Sequence, residues 1–176
     1  MAIQMTRSHG VMESRPAESA FRSLIRTIGL LERVMQPYFA RHGISGSQWS
    51  VLRALHRSAA EGDSGLRLTD LSELLLIRPP SVTGVVDRLE RIGLVAREEV
   101  PDDLRARRIC LTAKGRNLVH RILQAHDEQI DVVMGALTCS QQRELDGLLG
   151  RLGTHLEILS ETQDVAAAAA SAQSVA

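Results

Sequence analysis

Residues Thr69–Gly115 read TDLSELLLIRPPSVTGVVDRLERIGLVAREEVPDDLRARRICLTAKG, and the punctuation of this stretch decides the fold. Thr69 predicts a helix N-cap, Asp70 places negative charge where the helix dipole favours it, and Leu71, Leu74 and Leu75 predict one apolar face as far as Ile77. Arg78-Pro79-Pro80 predicts a sharp stop. Pro79 drives Arg78 out of the helical region, and Pro80 is pre-shaped for the first position of a new helix. That second helix carries Val82, Val85, Val86 and Leu89 at i, i+3, i+4 and i+7, which leaves Ser81, Thr83, Gly84, Asp87, Arg88 and Arg91 around its other side.

The period then changes to two. Leu94–Val100 and Arg107–Thr112 predict short strands, with Ile109 and Leu111 on one face and Arg108, Cys110 and Thr112 on the other. Pro101 to Ala106 forms the turn-rich, charged tip between them. Helix, tight turn, helix and hairpin in this order make a winged helix, a shape that places one helix in the major groove of DNA and the hairpin beside it.

Several motifs in order carry a family resemblance over residues 20–157. Gln48-Trp49-Ser50-Val51-Leu52-Arg53-Ala54-Leu55, Leu68-Thr69-Asp70-Leu71, the run from Val85 to Val95, Asp103-Leu104-Arg105-Ala106, and Leu111-Thr112-Ala113-Lys114-Gly115 resemble the MarR family of bacterial transcriptional regulators. The chain departs from that pattern at Val100, where the wing tip usually opens with Asp, and at Gly84, where a larger polar residue is common. The resemblance implies a mainly α fold with a small β-hairpin wing, that is, a winged helix-turn-helix domain plus interlocking terminal dimerisation helices.

The flanks of the stretch agree. Residues 1–15 are polar and unpatterned, which predicts a disordered arm. From Pro16 a helix carries Phe21, Leu24, Ile25, Ile28, Leu31, Val34, Met35 and Phe39 in one stripe, with Pro37 expected to bend it or open a turn and Gly43 to end it. Ser45-x-x-Gln48 has capping-box spacing and predicts a second helix to about Ser58, with Trp49, Leu52 and Leu55 inward. Glu61–Gly65 reads as a loop. Thr112 predicts the cap of a helix of about 25 residues, carrying Leu118, Ile122, Ala125, Val133 and Leu137. Thr138-x-x-Gln141 predicts another box, followed by a seam of Leu145, Leu148, Leu149, Leu152, Leu156 and Leu159. From Asp164 the Ala-rich sequence has no pattern and predicts disorder. The domain boundaries read 1–15 arm, 16–43 N-terminal dimerisation helix, 44–112 winged helix-turn-helix, 113–160 C-terminal dimerisation helices and 161–176 tail. Both terminal stripes exceed what one small winged helix can cover, so a homodimer is expected.

Composition narrows the function. The chain has 176 residues, a net charge of zero and a core mostly of Leu, Val, Ile and Ala. No apolar run approaches a membrane span and residues 1–15 lack a signal-peptide core, which predicts a cytoplasmic protein with no membrane partner. Charge is unevenly distributed: Arg105, Arg107, Arg108, Lys114 and Arg116 fall within twelve residues that hold no acid, so a local positive patch is expected. Sequence signatures of hydrolases, metalloproteases and phosphate-binding loops are absent, so neither enzyme activity nor a cofactor is expected. His120 and His126 are six apart and point to different sides of their helix, unlike a chelating i, i+4 pair, so no metal site is expected. Cys110 and Cys139 predict free thiols in a reducing compartment.

The DNA reading assigns roles. Ser81 and Thr83, at the start of the second helix, are candidates for phosphate and base-edge contacts, Arg78 and Arg88 for phosphate clamps, and Arg107 for the basic wing strand. The family motif implies that Arg105 enters the minor groove of double-stranded DNA while Asp103 holds its guanidinium; without DNA the two would form only a turn-bracing ion pair, worth roughly 0 to 1 kcal/mol. The resemblance further implies a repressor that binds a pseudo-palindromic operator and responds to a small-molecule effector, aromatic acids among the candidates. Two other readings stand beside it: a helical scaffold whose winged helix binds protein, and a thiol- or metal-responsive regulator.

Overall fold

The computed structural model describes residues 15–100 and 103–173, and the side chains of all of these except Val100, residues 103–106 and residues 164–173. Among the described residues six helices and one hairpin follow in order: α1 Pro16–Ala40, α2 Gly46–Ala60, α3 Leu68–Leu75, α4 Pro79–Arg91, β1 Val95–Val100, β2 Asp103–Leu111, α5 Ala113–Met134 and α6 Cys139–Gln173. Two units divide the chain, Met1–Ala125 and His126–Ala176. No helix among the described residues is long and apolar enough to cross a membrane.

The core of the first unit gathers one face from each element. Leu52 and Leu55 come from α2, Leu71 from α3, Val82, Val85, Val86 and Leu89 from α4, Val95 and Ile109 from the hairpin, and Val119 and Ile122 from α5, all buried. Each such side chain contributes about 1.5 to 3 kcal/mol on leaving water. Tyr38 and Phe39 join the last turns of α1 to this core, and the Tyr38 hydroxyl donates to the Ile122 carbonyl at 3.1 Å. Pro37 lies inside α1 without ending it, since only three helical residues follow and few backbone hydrogen bonds remain to be lost. Upstream, the stripe behaves differently: Phe21, Ile25, Ile28, Leu31 and Val34 are all exposed.

The capping box of α2 is complete. Ser45 N–H donates to Gln48 Oε1 at 2.8 Å, and Gln48 N–H donates to Ser45 Oγ at 3.2 Å. At α3 the expected cap is corrected. The helix begins at Leu68, and Asp70 accepts from the Arg67 N–H at 2.9 Å, so Arg67 and not Thr69 is the N-cap; a carboxylate is the stronger acceptor and reaches back to the earlier N–H. The end differs as well. Leu76 adopts a left-handed conformation at φ 51° and stops α3 before Arg78, with Ile77 N–H donating to Ser72 O. This brings Leu75 against the core and leaves Leu74 exposed. Pro79 and Pro80 both lie in the first turn of α4, with Pro79 rather than Pro80 at its first position.

The hairpin pairs Val95 with Leu111, Arg97 with Ile109, Glu98 with Arg108 and Glu99 with Arg107. Its second strand starts earlier than Arg107: Val100 pairs with Asp103, and the register breaks there, so residues 104–106 are an irregularity within β2 instead of a free turn. Leu66 forms a one-residue antiparallel bridge to the hairpin, exchanging two backbone hydrogen bonds with Ile109 at 2.7 and 3.1 Å. Gly65 makes this approach possible. At φ +139° a Cβ there would stand 2.5 Å from Cys110 Sγ and 2.8 Å from Ile109 O, where no larger residue fits.

Thr112 joins wing to α5 as expected. Its hydroxyl caps the helix by accepting from Gly115 N–H at 3.0 Å and itself donates to Gly93 O at 2.8 Å. In the second unit, Thr138 and Gln141 close the predicted box before α6. That helix runs to Gln173, past Asp164, where lost patterning predicted disorder; alanine has the highest helix propensity and needs no apolar stripe to continue. Leu148, Leu149, Leu152, Leu156 and Leu159 of α6 are exposed.

Candidate nucleic-acid interface

One side of α4 is committed to the core, so its other side is what the unit presents. Ser81 and Arg88 are exposed, Thr83 and Gly84 half-buried, and Arg78 stands exposed at the N-cap. The helix start does not offer the usual row of free N–H groups. Pro79 and Pro80 have none, and Ser81 N–H donates to Arg78 O at 2.9 Å, so an anion here meets side chains more than backbone. The Thr83 hydroxyl donates to Pro79 O at 3.0 Å. Its proton is thereby committed, and it offers an acceptor. The glycine at position 84 leaves room beside Arg88: a Cβ built there would lie 3.9 Å from Arg88 Nη1.

The expected positive patch is smaller in space than in sequence. Glu98 and Glu99 face Arg108 and Arg107 across the hairpin. Lys114 donates to Ile92 O at 2.8 Å and Arg116 to Leu111 O at 2.7 Å, each holding a backbone carbonyl beside the wing. Arg108 donates to Ser64 Oγ at 2.9 Å. Arg107 remains exposed. Asp103 and Arg105 lie in β2, and their side chains fall outside the described residues.

The residue that sequence reading missed is Arg97. Its guanidinium donates to Asp87 Oδ1 at 2.6 Å and also to Glu90 Oε2, tying β1 to α4. The Asp87 hydrogen bond, ahead of the attraction of Glu90, raises the Arg97 pKa further against the opposing effect of burial. A signal was present. Arg97 shares strand parity with Val95 and stands opposite Ile109, and an arginine at an inward position must find carboxylates.

The thiols and histidines among the described residues give no organised centre. Cys110 Sγ donates to Ser64 O at 2.8 Å, and burial, reinforced by Glu98, pushes its thiol up to about 11. It therefore stays protonated at neutral pH, the unreactive form. His56 and His120 meet edge to face at 5.4 Å, and burial, followed by Arg53 and His120, lowers the His56 pKa. Among the described residues no three His, Cys, Asp or Glu side chains are grouped to hold a metal ion.

Known proteins share this arrangement. Residues 42–106 match the model of the MarR family. The chain is 30% identical over 129 residues to the HTH-type transcriptional regulator FarR of Neisseria gonorrhoeae, covering 73% of this chain and 85% of that protein. It is 31% identical over 114 residues to the homoprotocatechuate degradative operon repressor of Escherichia coli, covering 65% of this chain and 74% of the relative. Among solved structures, Sco3205 of Streptomyces coelicolor, a MarR family transcriptional regulator in complex with DNA, superposes with a TM-score of 0.69 at 27% identity, covering 79% of this chain and 90% of that one.

Proposed function

This chain belongs to the MarR family, whose members are regulators and not enzymes, and we propose that it is a DNA-binding transcriptional regulator that works as a homodimer and represses from a pseudo-palindromic operator. The observation that carries the reading is α4. Its apolar face is wholly buried while its small polar face, between Arg78 and Arg88, is left for a partner. Ser81 and Thr83 meet base edges and phosphates, Arg78 and Arg88 hold the flanking backbone, and Arg107 meets the backbone beside the wing. Arg105 enters the minor groove and Asp103 orients it.

Residues 16–43 and 113–160 supply the dimer's helices, since α1 and α6 each keep an exposed apolar stripe that a second copy covers. A two-fold dimer presents two recognition helices and so reads two half-sites. The effector is a small molecule. Aromatic acids are the first class to try, because one relative is named as the repressor of a homoprotocatechuate degradative operon.

The test of the DNA reading is the wing. Arg105→Ala should weaken binding by about 1 to 3 kcal/mol and flatten the salt slope by about one, as loss of one cation from between the phosphates lining the minor groove requires. Asp103→Ala should weaken binding less and leave the slope unchanged. Its effect should vanish in the Arg105→Ala background, because an orienting residue matters only while what it orients is present. Parent-like affinity of Arg105→Ala at moderate salt would reduce the pair to a turn brace and remove the wing from the interface.

A further inference from the structure

Two carboxylates project from the helix assigned to the major groove, and a single wing residue takes both. Asp87 and Glu90 are three apart on α4 and so lie on one face; Arg97 reaches them from β1, one guanidinium nitrogen to each. A planar fork held by two carboxylates on different residues fixes distance and rotation together, which a lysine ammonium does not. The Arg97 side chain is 20% exposed and its partners Asp87 and Glu90 are 47% and 38% exposed, against 67% and 64% for the surface pair of Arg22 and Glu18, so solvent screens the clamp less than that pair, and mainly from the side of the acids. Leu94 N–H donating to Leu89 O at 2.9 Å fixes the base of the wing. The clamp acts two strand residues further out than the buried Val95.

We propose that Arg97 is a positioning residue for DNA binding, locking the wing to α4 so that the major-groove helix and the wing arginines reach the duplex as one body. The inference rests on the reading of α4 and the wing as the DNA interface. Locking contributes by removing, before binding, the freedom that docking would otherwise have to freeze. It also holds the two acids of α4 away from incoming phosphates, and the two effects are separable.

The experiment compares the parent with Arg97→Met, Arg97→Lys, Asp87→Asn/Glu90→Gln, and the combination of Arg97→Met with both amides. All are titrated against a duplex that the parent selects from a random-sequence pool. Arg97→Met should weaken binding about tenfold or more, the coupling expected within one ion-pair network, and Arg97→Lys should restore only part. The double amide should also weaken binding although it removes two negative charges, and the combined variant should regain only the part of the Arg97→Met loss that comes from unmasked acids, staying well below the parent. The salt slope of Arg97→Met should fall by about one, as in Arg105→Ala, and fall no further when the two are combined, because Arg97 neutralises no phosphate itself and what is lost is the wing's contact. Hydroxyl-radical footprints of Arg97→Met should lose the wing's minor-groove protection and keep the major-groove half-sites, with thermal melting showing each variant folded.

Parent affinity in the combined variant would overturn the proposal, because Arg97 would then only mask acids. A further drop of about one in the slope when Arg97→Met is added to Arg105→Ala would overturn it, because Arg97 would then be a direct phosphate contact. Parent-like affinity with an intact wing footprint in Arg97→Met would also overturn it. A parent that selects no sequence at all would instead fail the DNA reading, and the inference with it.

Discussion

Replacing Leu148 and Leu152 with Glu should convert the proposed homodimer to monomer and abolish binding to the proposed operator at concentrations where the parent is saturated. The two leucines are 51% and 39% exposed on α6, so each has roughly half its surface still to bury. At about 1 kcal/mol for each half-buried leucine, the four side chains of a dimer account for roughly 4 kcal/mol, a weakening of about a thousandfold in dimer dissociation. Carboxylates forced into the seam add their own desolvation cost. Helix content should survive, since both positions lie on the exposed surface of a helix with good propensity. Sedimentation equilibrium with circular dichroism reads both quantities. A double-Glu variant that stays dimeric at low micromolar concentration, or an unmodified chain that sediments as a folded monomer, would remove α6 from the interface.

Gly115→Ala should destabilise the fold by about 3 kcal/mol, the upper end of what overpacking costs, and lower the melting temperature by roughly 10 °C. The reason is local. A Cβ at position 115 would stand 2.1 Å from Leu94 O and 3.1 Å from Leu94 C, so backbone and not a flexible side chain must move. Leu94 O also accepts from Thr112 N–H at 3.1 Å, and displacement therefore loosens the joint between α4, the wing and α5. Gly147→Ala is the matched control. Nothing lies within 4 Å of a Cβ there, and alanine should stabilise α6 by up to about 1 kcal/mol. A melting temperature for Gly115→Ala within a degree or two of the parent would mean that α5 does not press on Leu94 in solution.

Periodicity carried most of the fold because it reports burial directly. Val82, Val85, Val86 and Leu89 had to face one way, and every one is buried. Ser45 with Gln48 and Thr138 with Gln141 were legible because a capping box depends on two residues at a fixed spacing. What escaped depended on groups distant in sequence. The Leu66 bridge exists only because Ile109 folds back to meet it, and no local pattern in Ser64-Gly65-Leu66 announces a partner 43 residues later. Leu74 was read inward by spacing, yet the left-handed residue at Leu76 ends α3 early and turns it out.

The interface was legible to a lesser degree for the same reason. Charge read along the chain made a run of five cations look like a patch, but Glu98 and Glu99 lie beside them across the hairpin, and Lys114 and Arg116 bind carbonyls. Sequence shows which charges exist and not which are already taken. Arg97 shows the converse, an unremarked strand residue that becomes the link between wing and helix once β1 lies against α4.

The central claim is that a two-fold pair of these chains reads DNA with two copies of α4 at once. Footprinting of the intact protein on the DNA immediately upstream of its own coding sequence, at protein concentrations where sedimentation shows the dimer, tests this most directly. The account predicts two related half-sites protected together, their centres about one helical turn or roughly 10 bp apart, with two chains bound per duplex. Protection of a single isolated half-site under those conditions, or one chain bound per duplex, would contradict it.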